Sequence, residues 1–319
     1  SEMCIRDRFC GINLAAHALR RGGHYYDYVY APPQDRTAVD RMFILALAGR
    51  ARRLLHLSRV GRVGENPEGL DSCRFDAEAL AQAFGVDVAQ VDLAEIFASA
   101  KAADAGQVDA LEQDLSARLD GLQTLDRDAV RGTLSSYLAL RQTAEQQDLA
   151  GLAVRCWPEF FTSLGCAACG AMSLLSNQGI PCSCEADVNG TITQLILQWI
   201  SGEPAFGTDI VSFDMEGDNV VVWHCGLAPL AMADPNVRPR ATIHSNRQLP
   251  LLMEFALKPG RVTVARLSEA TGGYRLVVGG GEMLRRPMSF SGTSGCLRFD
   301  RPASNVLDTL MTEGLEHHI

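Results

Sequence analysis

The chain has 319 residues, a formal net charge of −9 at pH 7, 47% hydrophobic residues and 21% charged residues. This length exceeds the usual size of one domain, so two domains with buried cores are expected. The acidic balance argues against a nucleic-acid partner, because phosphate binding requires concentrated Lys and Arg. The basic residues that do cluster are interpreted as a solvated face beside a strand: Arg50, Arg52, Arg53, Arg59 and Arg62.

Residues 1–8 resemble translated adapter sequence and are predicted to be a non-native leader outside the fold. They lack the apolar centre of a signal peptide, and no apolar run approaches the ~18 residues of a membrane span. The sequence therefore predicts no membrane partner. The chain has 10 cysteines, which without an export signal fit a reducing compartment, so a cytoplasmic location is predicted.

Residues 9–203 are predicted to form a Rossmann-like parallel α/β domain, because helical patterns alternate with short apolar strands. Strands are expected over residues 56–64, 152–157 and 180–185. Helices are expected over residues 77–84, 91–103, 166–177 and 189–200, with one or two more between Val108 and Leu149. A strand–helix–strand order favours parallel pairing, since parallel strands require a crossover connection.

Residues 204–319 are predicted to form an antiparallel, barrel-like β-rich domain. Asp209–Phe213 and Asn219–His224 flank a turn at Glu216-Gly217-Asp218, which is typical of a hairpin. A second hairpin is predicted where Lys258-Pro259-Gly260 joins Leu251–Leu257 to Arg261–Leu267. The fold class is therefore α/β, with the β-rich half following the parallel layer.

Four thiols lie close together in the sequence, at Cys166, Cys169, Cys182 and Cys184. A zinc site or a thiol redox pair is chemically possible. Buried free thiols are favoured, because two of these cysteines fall in an apolar helix and two alternate along a strand. No GxGxxG, Walker-type or GxSxG motif is present.

Glu185 is the first candidate for chemistry, because it follows an apolar strand at the end where α/β sheets bind ligands. A surface or capping carboxylate is the alternative for Glu185, and helix capping is the favoured role for Asp187 and Asn189. For His224, which ends a β-forming run, a structural role is favoured over a ligand role.

The end of the chain, Glu316-His317-His318-Ile319, adds imidazoles to these carboxylates. With Glu185 and Asp209 it supplies what a hard divalent ion binds, namely carboxylate oxygens and an imidazole nitrogen. A chain that ends there would stop within a site, so a fragment is predicted.

These segments resemble the L-fucose isomerase-like group of sugar isomerases, which is related to L-arabinose isomerase. The resemblance spans residues 10–319 and is more specific after Leu152. It is carried by Arg155-Cys156-Trp157-Pro158-Glu159, Gly179-Ile180-Pro181, Glu185-Ala186-Asp187-Val188-Asn189-Gly190, Phe206-Gly207-Thr208-Asp209, His224-Cys225-Gly226 and Glu316-His317-His318.

The resemblance implies a metal site of Glu185, Asp209 and His318, with His317 as the other possible imidazole. It implies Mn²⁺ or Mg²⁺, with Glu185 and Asp209 also moving protons in an aldose–ketose isomerisation through an enediol. Convergence requires Asp209 to lie on the crossing into the β-rich half, a placement that the resemblance supplies. The sugar-contact candidates are Arg155, Trp157, Glu159, His224 and His317.

The resemblance also implies a sugar substrate and a homo-oligomer, while the family's first domain and extreme C-terminus are absent from this sequence. Because members of that family can borrow active-site residues from a neighbouring subunit's first domain, the resemblance leaves open whether the fragment is active by itself. Two alternatives stay open: a related enzyme acting on a modified or acidic sugar, and a sugar-binding or scaffold protein without turnover.

Overall fold

The computed structural model describes residues 8–32 and 34–319. Residues 1–7 of the predicted leader lie outside the described residues. The chain divides into two units, residues 1–54 and 55–319, and all candidate site residues belong to the second. The predicted domain boundary near residue 203 stays a prediction.

The first unit carries helix α1 (Arg8–Arg21) and most of α2 (Arg36–Leu57). The two are linked through side chains at both ends of the connecting segment. Arg41 forms an ion pair of 3.0 Å with Asp27, and Phe9 meets Tyr30 edge to face at 6.2 Å.

The second unit begins with a four-stranded sheet in the order β2–β1–β3–β4, in which every neighbouring pair is parallel. Its strands are β1 (Arg59–Val63), β2 (Asp87–Val91), β3 (Gly151–Val154) and β4 (Cys182–Ser183). All four residues of β3 are buried, as expected for a central parallel strand with both faces covered. The predicted parallel α/β layer is confirmed.

Most of the accompanying helices start at aspartates. They are α3 (Ala77–Phe84), α4 (Leu93–Lys101), α5 (Ala105–Arg118), α6 (Arg127–Gln146), α7 (Glu159–Ser163), α8 (Cys169–Asn177) and α9 (Val188–Ser201). The side chains of five aspartates accept hydrogen bonds from backbone N–H groups in the first turn of a helix, which stabilises helix starts. These are Asp76, Asp92, Asp104, Asp126 and Asp187.

Several predicted boundaries were wrong in detail. His56 lies in α2 rather than in a strand, and Val91 ends β2 instead of opening a helix. Helix α8 begins at Cys169 rather than Cys166. In each case apolar residues lie on both sides of the boundary, so periodicity alone could not locate the change.

The other sheet is mostly antiparallel and has seven strands, five of them in the order β5–β6–β11–β10–β9. Its strands are β5 (Asp209–Asp214), β6 (Asn219–His224), β7 (Arg240–Thr242), β8 (Leu252–Ala256), β9 (Gly260–Ser268), β10 (Arg275–Leu284) and β11 (Thr293–Phe299). The hairpin of β5 and β6 is confirmed.

The second predicted hairpin was wrong. Strand β8 pairs with β7 and, in parallel, with β11, whereas β9 pairs with β10. A Pro-Gly turn between two β-forming runs is a local signal, and here long-range pairing takes precedence over it. The chain then forms α10 (Ala303–Glu313), which ends at Gly314 with φ of 59° and leads into the terminal residues.

Candidate active site

Glu185 lies in an unusual backbone turn directly after β4. Its φ is 60° and that of Ala186 is 56°, so two consecutive non-glycine residues adopt the left-handed region. Such conformations cost about 1–3 kcal/mol each and persist only where surrounding contacts impose them. The Asn66 amide donates to the carbonyl oxygens of Glu185 at 2.9 Å and Ala186 at 3.0 Å. Asn66 therefore stabilises the turn that aims the Glu185 carboxylate.

We expect Asn66→Ala to destabilise the fold by about 1–3 kcal/mol, because the carbonyls of the strained turn lose their donor. Chemical denaturation of the variant measures the loss. Gln82→Ala, which removes an exposed helix amide bonded to Glu78 at 3.0 Å, is the control and should change stability by less than about 0.5 kcal/mol. Equal, small effects in the two variants would contradict this role for Asn66.

Three side chains contact the Glu185 carboxylate. Trp157 Nε1 donates to Oε1 at 3.2 Å, His317 Nε2 lies 3.1 Å from Oε2, and Cys73 Sγ lies 3.7 Å from Oε2. Burial opposes ionisation, but the His317 hydrogen bond and the neighbouring charges outweigh it, so the pKa of Glu185 is lowered. An ionised carboxylate is therefore available in a largely enclosed position.

His318 is oriented by a second carboxylate. Its Nδ1 lies 2.9 Å from Asp187 Oδ2. Burial opposes ionisation of Asp187, but the charge of Arg266 outweighs it, so the pKa of Asp187 is lowered. The ionised carboxylate therefore accepts the N–H of the His318 ring. Arg266 donates to both Asp187 oxygens, at 2.6 and 3.1 Å. His318 Nε2 is left with its lone pair toward Glu185 Oε2 and Asp209 Oδ1, each 3.9 Å away.

Asp209 reaches this cluster because the end of the chain pairs with the start of β5. Ile319 and Thr208 exchange backbone hydrogen bonds of 2.8 and 3.0 Å, and Asp209 faces His318 in an antiparallel bridge. Asp209 Oδ1 is buried without a hydrogen-bond partner among the described residues. Burial raises the pKa of Asp209. The residue thus lies at the transition between the two sheets, as the predicted convergence requires.

These side chains could hold a hard divalent cation. Ligands of one such ion lie roughly 3–4 Å apart when each bond is about 2.1 Å, which matches the 3.9 Å separations around His318 Nε2. An imidazole whose other nitrogen donates to a carboxylate is the usual arrangement for a metal-binding histidine. Ligand atoms of Cys73, Glu185, His317 and His318 lie within 4.8 Å of one another, and Asp209 is not a member of this group.

His317 and His224 flank the cluster in different states. The hydrogen bond to Glu185 and the nearby carboxylates raise the pKa of His317 despite its burial, and its Nδ1 lies 2.6 Å from Ser72 Oγ. Burial is the main cause that lowers the pKa of His224, to about 3. Its Nδ1 accepts from the backbone N–H of Cys225 at 2.8 Å, so the proton of the neutral ring is on Nε2. The rings of His224 and His318 are 5.7 Å apart.

Of the other predicted sugar contacts, only Trp157 touches Glu185. Arg155 and Glu159 form an ion pair of 2.8 Å and line a cavity of about 610 Å³ beside Gly64 and Asp92. Arg155 also donates to the Asn66 carbonyl at 3.2 Å, so it supports the residue that holds the Glu185 turn. A direct sugar contact by Arg155 or Glu159 stays a prediction.

Sequence reasoning did not identify four residues of the site, namely Asn66, Ser72, Cys73 and Arg266. It assigned Asp187 only a helix-capping role. Asp187 does cap α9, with Gly190 N 2.8 Å from its Oδ1. Its second role depends on partners far away in sequence. An arginine inside a strand that becomes buried, as Arg266 does in β9, was the available signal, because buried arginines are rarely unpaired.

The cysteine thiols contact partners other than their neighbours in the sequence. Cys184 Sγ lies 2.6 Å from Cys156 Sγ, and Cys169 Sγ lies 3.3 Å from Cys225 Sγ. Cys182 bonds the Ile180 carbonyl at 3.4 Å. Within the described residues these four cysteines do not form one ligand group, and all four are free, buried thiols, the alternative that the sequence favours.

Within the described residues, no helix is long and apolar enough to cross a membrane. No family model matches the chain. Curated relatives cover nearly all of it. A protein of Alkalicoccus urumqiensis named sulfoquinovose isomerase is 33% identical over 311 residues, which are 97% of this chain and 70% of the relative. Proteins of the same name from Priestia aryabhattai and Clostridium sp. (strain MSTE9) are 32% and 29% identical, over 97% of this chain and 69% and 70% of theirs.

Proposed function

Since the chain belongs to the family of the sulfoquinovose isomerases, and is therefore a sugar isomerase that interconverts an aldose and a ketose, we propose that it acts on a sulfonated hexose at the Glu185 cluster. The relatives' name supplies the substrate class, a glucose-type sugar with a sulfonate at C6. This is the modified, acidic sugar that the sequence left open as an alternative.

We propose that Glu185, Asp209 and His318 hold a divalent ion of the Mn²⁺ or Mg²⁺ type. The observation that carries this proposal is the bond from His318 Nδ1 to Asp187, which leaves Nε2 3.9 Å from both carboxylates. The buried, unpartnered Oδ1 of Asp209 supports it, since buried carboxylate oxygens normally have a partner. When bound there, the ion would supply Lewis-acid polarisation of the substrate oxygens.

The proton transfers fall to the chain's own carboxyl groups. Glu185 takes the proton from C2 of the open-chain aldose, while O1 gains a proton and the C1–C2 double bond of the enediol forms. Glu185 then returns its proton to C1, and O2 loses a proton as the ketose carbonyl forms. Asp209 supplies the O1 proton and accepts the O2 proton, so the substrate gains and loses none overall. His224, neutral with N–H on Nε2, donates to a substrate hydroxyl.

Nuclear magnetic resonance of the reaction in D₂O tests this function. We expect sulfoquinovose with Mn²⁺ to give the 2-ketose with deuterium at C1, because an enediol route lets the transferred proton exchange with solvent. Sulfoquinovose that binds without ketose formation would favour a sugar-binding protein without turnover. Turnover of L-fucose or L-arabinose but not of sulfoquinovose would overturn the substrate while keeping the chemistry. The homo-oligomer and the cytoplasmic location remain predictions from the sequence.

A further inference from the structure

Arg247 lies against the aromatic side of the Glu185 cluster. It belongs to the segment between β7 and β8, and its guanidinium carbon is 4.8 Å from the centre of the Trp157 ring and 5.2 Å from that of Phe161. A guanidinium over an aromatic face is attracted by the ring, so two such contacts restrict its position. The same Trp157 indole donates its N–H to Glu185. Trp157 thus contacts both the Arg247 guanidinium and the Glu185 carboxylate of the proposed reaction centre.

Arg247 has no counter-ion in the part of the chain that the structure describes. Within residues 8–32 and 34–319 no carboxylate lies within ion-pair distance of it, whereas Arg155 and Arg266, the other arginines near the cluster, each bind a carboxylate at 2.8 Å or less. The side chain is half-buried. A guanidinium that is partly withdrawn from water and unpaired is suited to binding an oxyanion through two parallel N–H groups.

Distances fit an anion at the far end of a hexose. The contacts through Trp157 put the Arg247 guanidinium no more than about 10 Å from Glu185 Oε1. With carbon–carbon bonds of about 1.5 Å, the sulfur of an extended C6 sulfonate lies roughly 7–8 Å from C1. A substrate whose C1 and C2 lie at Glu185 can therefore reach Arg247 with its sulfonate oxygens.

Resting on the proposed function, we infer that Arg247, fixed on Trp157 and Phe161, binds the C6 sulfonate and makes the enzyme prefer an anionic sugar to a neutral one. His244, which meets Phe161 edge to face at 5.2 Å, borders the same position. The reacting carbons and the recognised anion then lie at opposite ends of the sugar. Arg247 contributes to specificity and takes no part in proton transfer.

Steady-state kinetics on two substrates test this inference. Sulfoquinovose and 6-deoxyglucose differ at C6 only, by the sulfonate. For Arg247→Gln we expect kcat/KM on sulfoquinovose to fall about 10- to 100-fold, the range for a lost charge-assisted hydrogen-bond pair, while kcat/KM on 6-deoxyglucose changes less than about 2-fold. Arg247→Lys should lie between wild type and Arg247→Gln, because it keeps the charge without the planar donor pair.

The matched control is Arg286→Gln, which removes an exposed arginine elsewhere in the second unit and should leave both substrates unaffected. An equal loss on both sugars in Arg247→Gln would show that Arg247 only supports Trp157, and would overturn the inference. If the wild type turns over neither sugar, the proposed function fails. In that case the role of Arg247 is tested by calorimetric dissociation constants of the two sugars. The inference predicts that Arg247→Gln weakens the binding of sulfoquinovose alone.

Discussion

Glu185→Gln is expected to lower kcat for sulfoquinovose isomerisation by about 10³- to 10⁴-fold. The substitution keeps the side-chain shape but removes the base that takes the C2 proton. It also removes the charge facing His317 and His318, at 3.1 and 3.9 Å. KM should change much less than kcat, because the lost interaction acts on the transferred proton. Initial rates of ketose formation give both constants.

Glu78→Gln is the matched control for this loss. Glu78 is an exposed carboxylate in the first turn of α3, so its replacement should leave kcat within about 2-fold of wild type. Loss of deuterium incorporation at C1 in the slow Glu185→Gln reaction would further identify Glu185 as the proton carrier. A Glu185→Gln enzyme with kcat near that of the wild type would contradict the assigned role.

Arg266→Met is expected to destabilise the fold by about 3–5 kcal/mol. The Arg266 and Asp187 side chains are only 3% and 1% exposed, and Glu316 lies 3.6 Å from the same guanidinium. Removing Arg266 leaves two carboxylates buried without their cation. His318 also loses the fixed Asp187 that orients it, so affinity for a divalent ion should fall about 10- to 100-fold. Urea denaturation and metal titration measure the two effects.

Arg275→Met is the control for the stability change. Arg275 pairs with Glu313 at 2.8 Å, but both side chains are more than 40% exposed, and exposed pairs contribute about 0–1 kcal/mol. The contrast between the two variants compares an arginine paired with two buried carboxylates with one paired with a single exposed carboxylate. If Arg266→Met costs no more than Arg275→Met, the buried pair does not stabilise the site as described.

The parts of the site that the sequence could predict are those with local signals. Glu185 follows an apolar strand, and the parallel order of that layer implies that the strand ends there carry the ligand site. Asp209 and His318 came from a family resemblance, and the structure brings both to within one cluster. Local periodicity and family pattern together therefore named residues that the structure places near one another, while their role in chemistry stays a prediction.

The parts that the sequence could not predict depend on contacts between distant segments. Asn66 bonds the Glu185 and Ala186 carbonyls 119 and 120 residues later, and Ser72 meets His317 across 245 residues. No periodicity or spacing encodes such pairs. The wrong hairpin has the same cause, because β8 joins β11 rather than its neighbour β9. Arg247 was likewise not identified from the sequence, since no local pattern shows which aromatic rings will contact it.

Electron paramagnetic resonance of Mn²⁺ added to this chain tests most directly whether Glu185, Asp209 and His318 form one cation-binding reaction centre. We expect one bound ion per chain in the wild type, with affinity reduced at least about 10-fold in Asp209→Asn and His318→Gln and unchanged in His24→Gln, an exposed histidine of the first unit. Binding that is equally strong in all four proteins, or absent from the wild type, would contradict the account.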